Sequence, residues 1–147
     1  MRPLPQLTPM NEWFWTSGAD GRLRIQRCAG CRTFVHPPVP ICPVCRSREW
    51  APEVVSGTGT VIGVTVNHQQ WLPGFPPPYV VANVALADAP GVNLTTNITG
   101  CEPEDVHVGQ VVRVRFEQQD DVWLPLFEPT GEDDPIGRFV TEHAEAF

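Results

Sequence analysis

Between positions 54 and 128, apolar residues recur at every second position in runs separated by turn-forming residues. That period of two places alternate side chains on opposite faces of a strand. The runs cover 54–66, 79–87, 92–98, 110–117 and 122–128. Asp88-Ala89-Pro90-Gly91, Glu102-Pro103-Glu104-Asp105 and Gln119-Asp120-Asp121 supply turns between them. The first run is long and carries Gly57, Gly59 and Gly63, which permit a coiled or bulged strand. Five strands of which the first is long and bent predict a small closed Greek-key barrel of the OB type; a sandwich is the competitor, but five strands are few for one.

The pattern differs on either side of this region. Residues 10–17 read as a short helix, with Thr8 as N-cap, Pro9 at the first helical position and Gly18 closing the end. Its cluster of Trp13, Phe14 and Trp15 needs burial, either on the body of the same chain or on a partner. Asp20-Gly21 turns into a short alternating strand over 23–27. Residues 67–78 (NHQQWLPGFPPP) are too rich in proline for a central strand, and their length and aromatics fit a binding loop. In the tail, Ile136, Phe139, Val140, His143 and Phe147 fall at helical spacing behind Asp134 and Pro135. The expected organisation is an N-terminal helical segment (1–24), a cysteine module (25–52), the barrel (53–130) and an acidic, amphipathic tail (131–147).

Charge divides the chain of 147 residues in a different way. Residues 1–48 hold seven Arg against Glu12 and Asp20, giving +5; residues 49–147 hold three Arg against fifteen carboxylates, giving −12 and a net −7. All ten basic residues are Arg. Without lysine the chain can form neither a Schiff base nor a Walker A site, which excludes imine aldolases and P-loop NTPases. Neither a spanning apolar run nor a secretory leader is evident, so the expected compartment is the cytoplasm.

Cys28-Ala29-Gly30-Cys31 and Cys42-Pro43-Val44-Cys45 carry the strongest chemical signal. Each C-x₂-C pair places two thiolates on one tight turn, and two such turns offer four ligands in a tetrahedral array. In a reducing compartment this favours a structural zinc over iron or disulfides, and four thiolates leave no open position for catalytic water. His36, between the pairs, reads as a hairpin side chain. The fifth cysteine, Cys101, is followed by Glu102, Glu104 and Asp105, which disfavour a thiolate nucleophile. His68 and His107 have no acid or nucleophile partner in the sequence, and three Ser and one Tyr complete a poor catalytic inventory. No catalytic residue is assigned.

These pieces, in this order, resemble a known family. Phe14-Trp15, Leu23, Gln26-Arg27-Cys28-x₂-Cys31, His36-Pro37-Pro38 and Cys42-Pro43-x-Cys45 resemble the rubredoxin-like zinc ribbon of the acyl-CoA-associated OB-fold family, long catalogued as a domain of unknown function. Gly57-x-Gly59-x-Val61, Pro78-Tyr79-Val80-Val81 and Val108-Gly109-Gln110-x-Val112 are similar to its barrel half, and the tail has no counterpart in the pattern. The resemblance implies a non-catalytic scaffold that docks a thiolase-superfamily aldolase or thiolase, or a MaoC-type enoyl-CoA hydratase, and helps shape its acyl-CoA site. Steroid side-chain degradation is one setting it implies. Nucleic-acid binding is the competing reading for a zinc ribbon joined to an OB barrel, but an acidic barrel repels phosphates.

Overall fold

The computed structural model describes residues 2–133. The predicted tail helix lies outside the described residues. The chain is mainly β: one short helix, a three-stranded ribbon sheet and a five-stranded antiparallel sheet that curls into an OB-like barrel.

The helix is shorter than its sequence predicts. α1 spans Glu12–Thr16 and tightens into a 3₁₀ turn over Ser17–Asp20. Asn11 holds its N-cap position without a side-chain capping bond, and Thr8 caps the turn before it: the Thr8 hydroxyl accepts the Asn11 amide at 3.3 Å, its carbonyl accepts the Asn11 and Glu12 amides, and its own amide donates to Asn11 Oδ1 at 2.7 Å. Gly18 does not end it. Gly21, at φ +80°, takes the left-handed position, while Gly18 is buried so tightly against the Phe116 ring that a Cβ there would lie 2.4 Å from it. The three aromatics point three ways. Phe14 enters the main core, Trp13 packs on Trp50 of the ribbon at 6.0 Å, and Trp15 covers Leu124 and Leu126. The helix therefore buries its apolar residues on its own chain.

In the ribbon, β1 (Arg24–Cys28) lies between β2 (Phe34–Val35) and β3 (Trp50–Val54), both antiparallel to it. The run expected as one strand over 54–66 is thus divided between two sheets. Val54 ends β3, Gly57 reverses the chain at φ +78°, and β4 (Thr58–Asn67) begins the barrel. Both halves are β-prone, so only tertiary packing separates them.

The barrel strands follow the predicted runs closely: β4, β5 (Tyr79–Leu86), β6 (Asn93–Asn97), β7 (Gln110–Gln119) and β8 (Val122–Asp133), in the order β6-β5-β4-β7-β8. A register shift between Val61 and Gly63 bends β4, as its glycines allow. A parallel bridge from Ile98 to Phe127 brings the outer strands together, reinforced by the Thr99 amide on the Phe127 carbonyl at 2.8 Å. A 3₁₀ turn, Pro103–Asp105, precedes β7. The core holds Val61, Val84, Leu86, Val112 and Phe127, and it continues into Leu23 and Ile25 of the ribbon. Burying each such side chain is worth roughly 1.5–3 kcal/mol. No helix among the described residues is long and apolar enough to cross a membrane.

Candidate metal centre

β1 delivers Cys28 at its last residue, and the chain then folds back through two matched turns. In the first, Arg32 N–H donates to the Cys28 carbonyl at 3.1 Å; in the second, Arg46 N–H donates to the Cys42 carbonyl at 2.9 Å. Each turn ends on an arginine in the left-handed region, Arg32 at φ +64° and Arg46 at φ +65°, a conformation that costs a non-glycine residue about 1 kcal/mol. Cys28 N–H donates to the Thr33 carbonyl and Cys42 N–H to the Ser47 carbonyl, each at 2.9 Å, which closes each turn on itself, and Ala29 N–H donates to the Glu49 carbonyl at 2.9 Å, which ties the first turn to the chain just beyond the second.

The four sulfurs of Cys28, Cys31, Cys42 and Cys45 lie within 4.8 Å of one another. Cys28 and Cys45 are 3.5 Å apart and Cys31 and Cys42 3.6 Å apart, too far for a disulfide, and all four are free thiols. A tetrahedron with metal–sulfur bonds of about 2.3 Å has edges of about 3.8 Å, so the cluster can hold a zinc-sized ion with little rearrangement. Electrostatics favour the same occupant. The hydroxyl and amide of Thr33 pull the Cys31 thiol down to about 6. The Ser47 amide also lowers Cys45, but the Cys28 and Cys31 sulfurs and desolvation outweigh it and carry that thiol to about 11. Four crowded sulfurs cannot all ionise unless a cation compensates them.

His36 stays outside the sulfur cluster. Its ring packs 5.0 Å from Phe14, and burial lowers its pKa to about 4. The span behind it is pinned by Gln26, buried in β1, whose amide both donates to the Val39 carbonyl at 2.7 Å and accepts from the Val39 amide at 2.9 Å. Arg27 and Arg32 share Glu53 at 2.5 and 3.1 Å, and Arg24 pairs with Asp20 at 2.6 Å. Much of the basic charge of the ribbon is therefore neutralised locally.

The remaining candidates are scattered. Cys101 is half-buried, and burial, then Asp105 and Glu102, raise its pKa. His107 rests on the Asp105 carbonyl and on Asp133 at 2.8 Å, both of which raise its pKa. His68 is exposed in the proline-rich loop. The structure brings none of these three to the sulfurs.

Arg2 is a residue whose role the sequence did not reveal. Its amide donates to Gln119 Oε1 and its carbonyl accepts from Gln119 Nε2, while its guanidinium reaches Glu117 at 2.5 Å and Asn97 at 3.2 Å and lies 5.3 Å over Phe75. Phe75 in turn stacks on Tyr79 at 4.3 Å. The N-terminal arm is thus tied to the aromatic loop and to two barrel strands, β6 and β7. No local pattern signals contacts across a hundred residues.

Comparison with known proteins agrees with this architecture. Residues 15–51 match the family described as the ChsH2 rubredoxin-like zinc ribbon domain, and residues 53–117 match the ChsH2 C-terminal OB-fold domain. A probable enoyl-CoA hydratase alpha subunit from Thermomonospora curvata is 38% identical over 130 residues, 88% of this chain and 40% of that protein. The 3-oxo-4,17-pregnadiene-20-carboxyl-CoA hydratase alpha subunit of Mycobacterium tuberculosis is 35% identical over 117 residues, 80% of this chain and 37% of that one. The chain therefore spans about two-fifths of the length of these two relatives. A solved structure described as an Ltp2-ChsH2(DUF35) aldolase contains a chain that superimposes with a TM-score of 0.78 at 36% identity, over 86% of this chain and 98% of that one. With the ribbon, the barrel and their order all matched, the chain belongs to the ChsH2/DUF35 family.

Proposed function

We propose that this chain is a non-catalytic subunit that docks on a thiolase-superfamily aldolase of the lipid-transfer-protein type and helps form its acyl-CoA site, in a cytoplasmic complex. The observation that carries this reading is the likeness to the chain of the Ltp2-ChsH2(DUF35) aldolase, which this chain covers almost end to end at 36% identity. The dispersal of Cys101, His68 and His107, with Cys101 flanked by Glu102 and Asp105, is consistent with chemistry supplied by a partner. The name of the mycobacterial relative favours a steroid-derived acyl-CoA as the substrate class.

In this reading Cys28, Cys31, Cys42 and Cys45 hold one zinc ion. Zinc would supply cross-linking, since four thiolates leave no position for substrate or water. The ribbon so fixed presents β1 to the barrel core and α1 to both sheets.

A second reading has its own support: 88% of the chain is 38% identical to part of an enoyl-CoA hydratase alpha subunit. One experiment separates the two. The chain is added to its purified candidate partners, an aldolase subunit and a MaoC-type hydratase subunit, and carbon–carbon cleavage and enoyl-CoA hydration are assayed. Cleavage that appears only when the chain and the aldolase are combined is the expected result. Cleavage by the aldolase alone at the same rate, or a gain in hydration only, overturns it.

A further inference from the structure

We propose that the charge-free β4–β5 hairpin, with Trp71 at its tip, is the face that enters an apolar cleft of the catalytic subunit. The inference rests on the proposed role as an aldolase partner and names the surface that serves it.

The first observation is a gap in the charge pattern. The chain is 18% charged, yet no Arg, Asp or Glu occurs between Glu53 and Asp88. Burial does not explain the gap, because Thr65, Trp71, Leu72, Val81 and Asn83 are all exposed. Beyond Thr60, β4 has no register with β7, so among the described strands its far half pairs with β5 alone, while β5 remains paired with β6. An exposed surface that omits charge matches the composition of a buried interface core.

The second observation is how Trp71 is held. It is 65% exposed, but its indole N–H already donates to Asn67 Oδ1 at 2.9 Å, and the same Asn67 donates to the Gln69 carbonyl. The ring is therefore aimed into solvent with its polar requirement met. Pro73, Pro76, Pro77 and Pro78 restrict the chain around it. Such preorganisation lowers the ordering cost of binding, and tryptophan is enriched among the residues that dominate interfaces.

The third observation lies beside the loop. A groove of about 270 Å³ is lined by Phe75, Trp15, Leu124 and Leu126, with Arg2 at its edge. Its polar groups are engaged: Arg2 with Glu117 and Asn97, Thr96 with the Pro125 carbonyl, and Thr95 with Asn83. It therefore suits an apolar side chain rather than a charged ligand. Knob and groove together fit an interlocking protein surface. A nucleic acid would need cations here, and an anionic membrane a basic rim; the hairpin has neither.

Binding of wild-type and variant chains to the aldolase subunit, measured by calorimetry, tests this. Trp71→Ala should weaken binding by at least about 30-fold, the size of an interface hot spot. Val81→Glu, which places a charge on the same face, should weaken it further. Val44→Glu at the ribbon tip should change affinity by less than about 3-fold. Unaltered thermal melts and zinc content of each variant show that folding is intact. If the wild type binds and both hairpin variants bind equally well, the docking face is wrong while the subunit reading stands. If the wild type fails to bind, that reading falls and the docking face with it. A wild-type homodimer that Trp71→Ala dissociates also overturns the proposal, since the hairpin would then serve a second copy.

Discussion

The ribbon and the barrel are both built from antiparallel strands, yet different forces hold them. The barrel encloses Val61, Val84, Leu86, Val112 and Phe127, each at or near zero exposure. The distal ribbon encloses little that is apolar: Val44 is 66% exposed and Ile41 37%, and of the four cysteines Cys28 and Cys42 are buried while Cys31 and Cys45 are exposed. Where the ribbon meets the barrel, Leu23 and Ile25 join the common core. A small module can thus borrow a core at its base and still depend on a metal at its tip.

The largest expected effect follows from removing the metal. Structural zinc in small modules binds with an apparent ~10–16 kcal/mol. Chelation, or Cys42→Ala, should therefore unfold residues 29–49 and leave the barrel intact. Amide exchange is expected to accelerate at Arg46 and Cys42 but stay slow at Val84. Uniform loss of protection across both regions would show that the two fold as one unit.

In the barrel, Phe127→Ala should cost about 4 kcal/mol by leaving a cavity at the closing bridge. Because its effect acts through the core, zinc content should not change. Loss of zinc in that variant would dissolve the distinction between metal-held and core-held regions.

A third effect joins the regions through His36. Burial holds the folded imidazole neutral down to about pH 4, whereas the unfolded chain takes up a proton below its ordinary value of 6.5. The unfolded state binds more protons in that window, so stability is full above pH 6.5 and falls as pH drops toward 4. The fall amounts to about 3 kcal/mol. His36→Gln should flatten this part of the profile in denaturant titrations; an unchanged slope would remove His36 from the account.

Smaller effects sharpen the backbone argument. Gly18→Ala should cost about 2 kcal/mol, because the added methyl meets the Phe116 ring. Arg46→Gly should instead raise stability slightly, by about 0.5 kcal/mol, because its φ of +65° suits glycine and no ion pair is seen for its side chain among the described residues. Thermal melts of the zinc-loaded chain would register both signs.

What the sequence made legible follows from the range of each interaction. The cysteine turns were readable because a C-x₂-C turn is local, and its two copies needed only to meet. The barrel strands were readable because one face of each is buried, which imposes a period of two. The division of the 54–66 run was not, since nothing in its composition says which sheet claims Val54 and which claims Thr58. Gly18 looked like a helix terminator because its real constraint, the ring of Phe116, is remote in sequence. Arg2 was missed for the same reason, as its partners Asn97, Glu117 and Gln119 lie 95, 115 and 117 residues away.

Native mass spectrometry of the chain co-purified with its aldolase subunit tests the central claim most directly, because it reads metal and partner together. The account predicts a complex in which each copy of this chain carries one zinc ion on four reduced cysteines. A metal-free chain, lighter by the hydrogens lost to two disulfides and running apart from the aldolase, would contradict it.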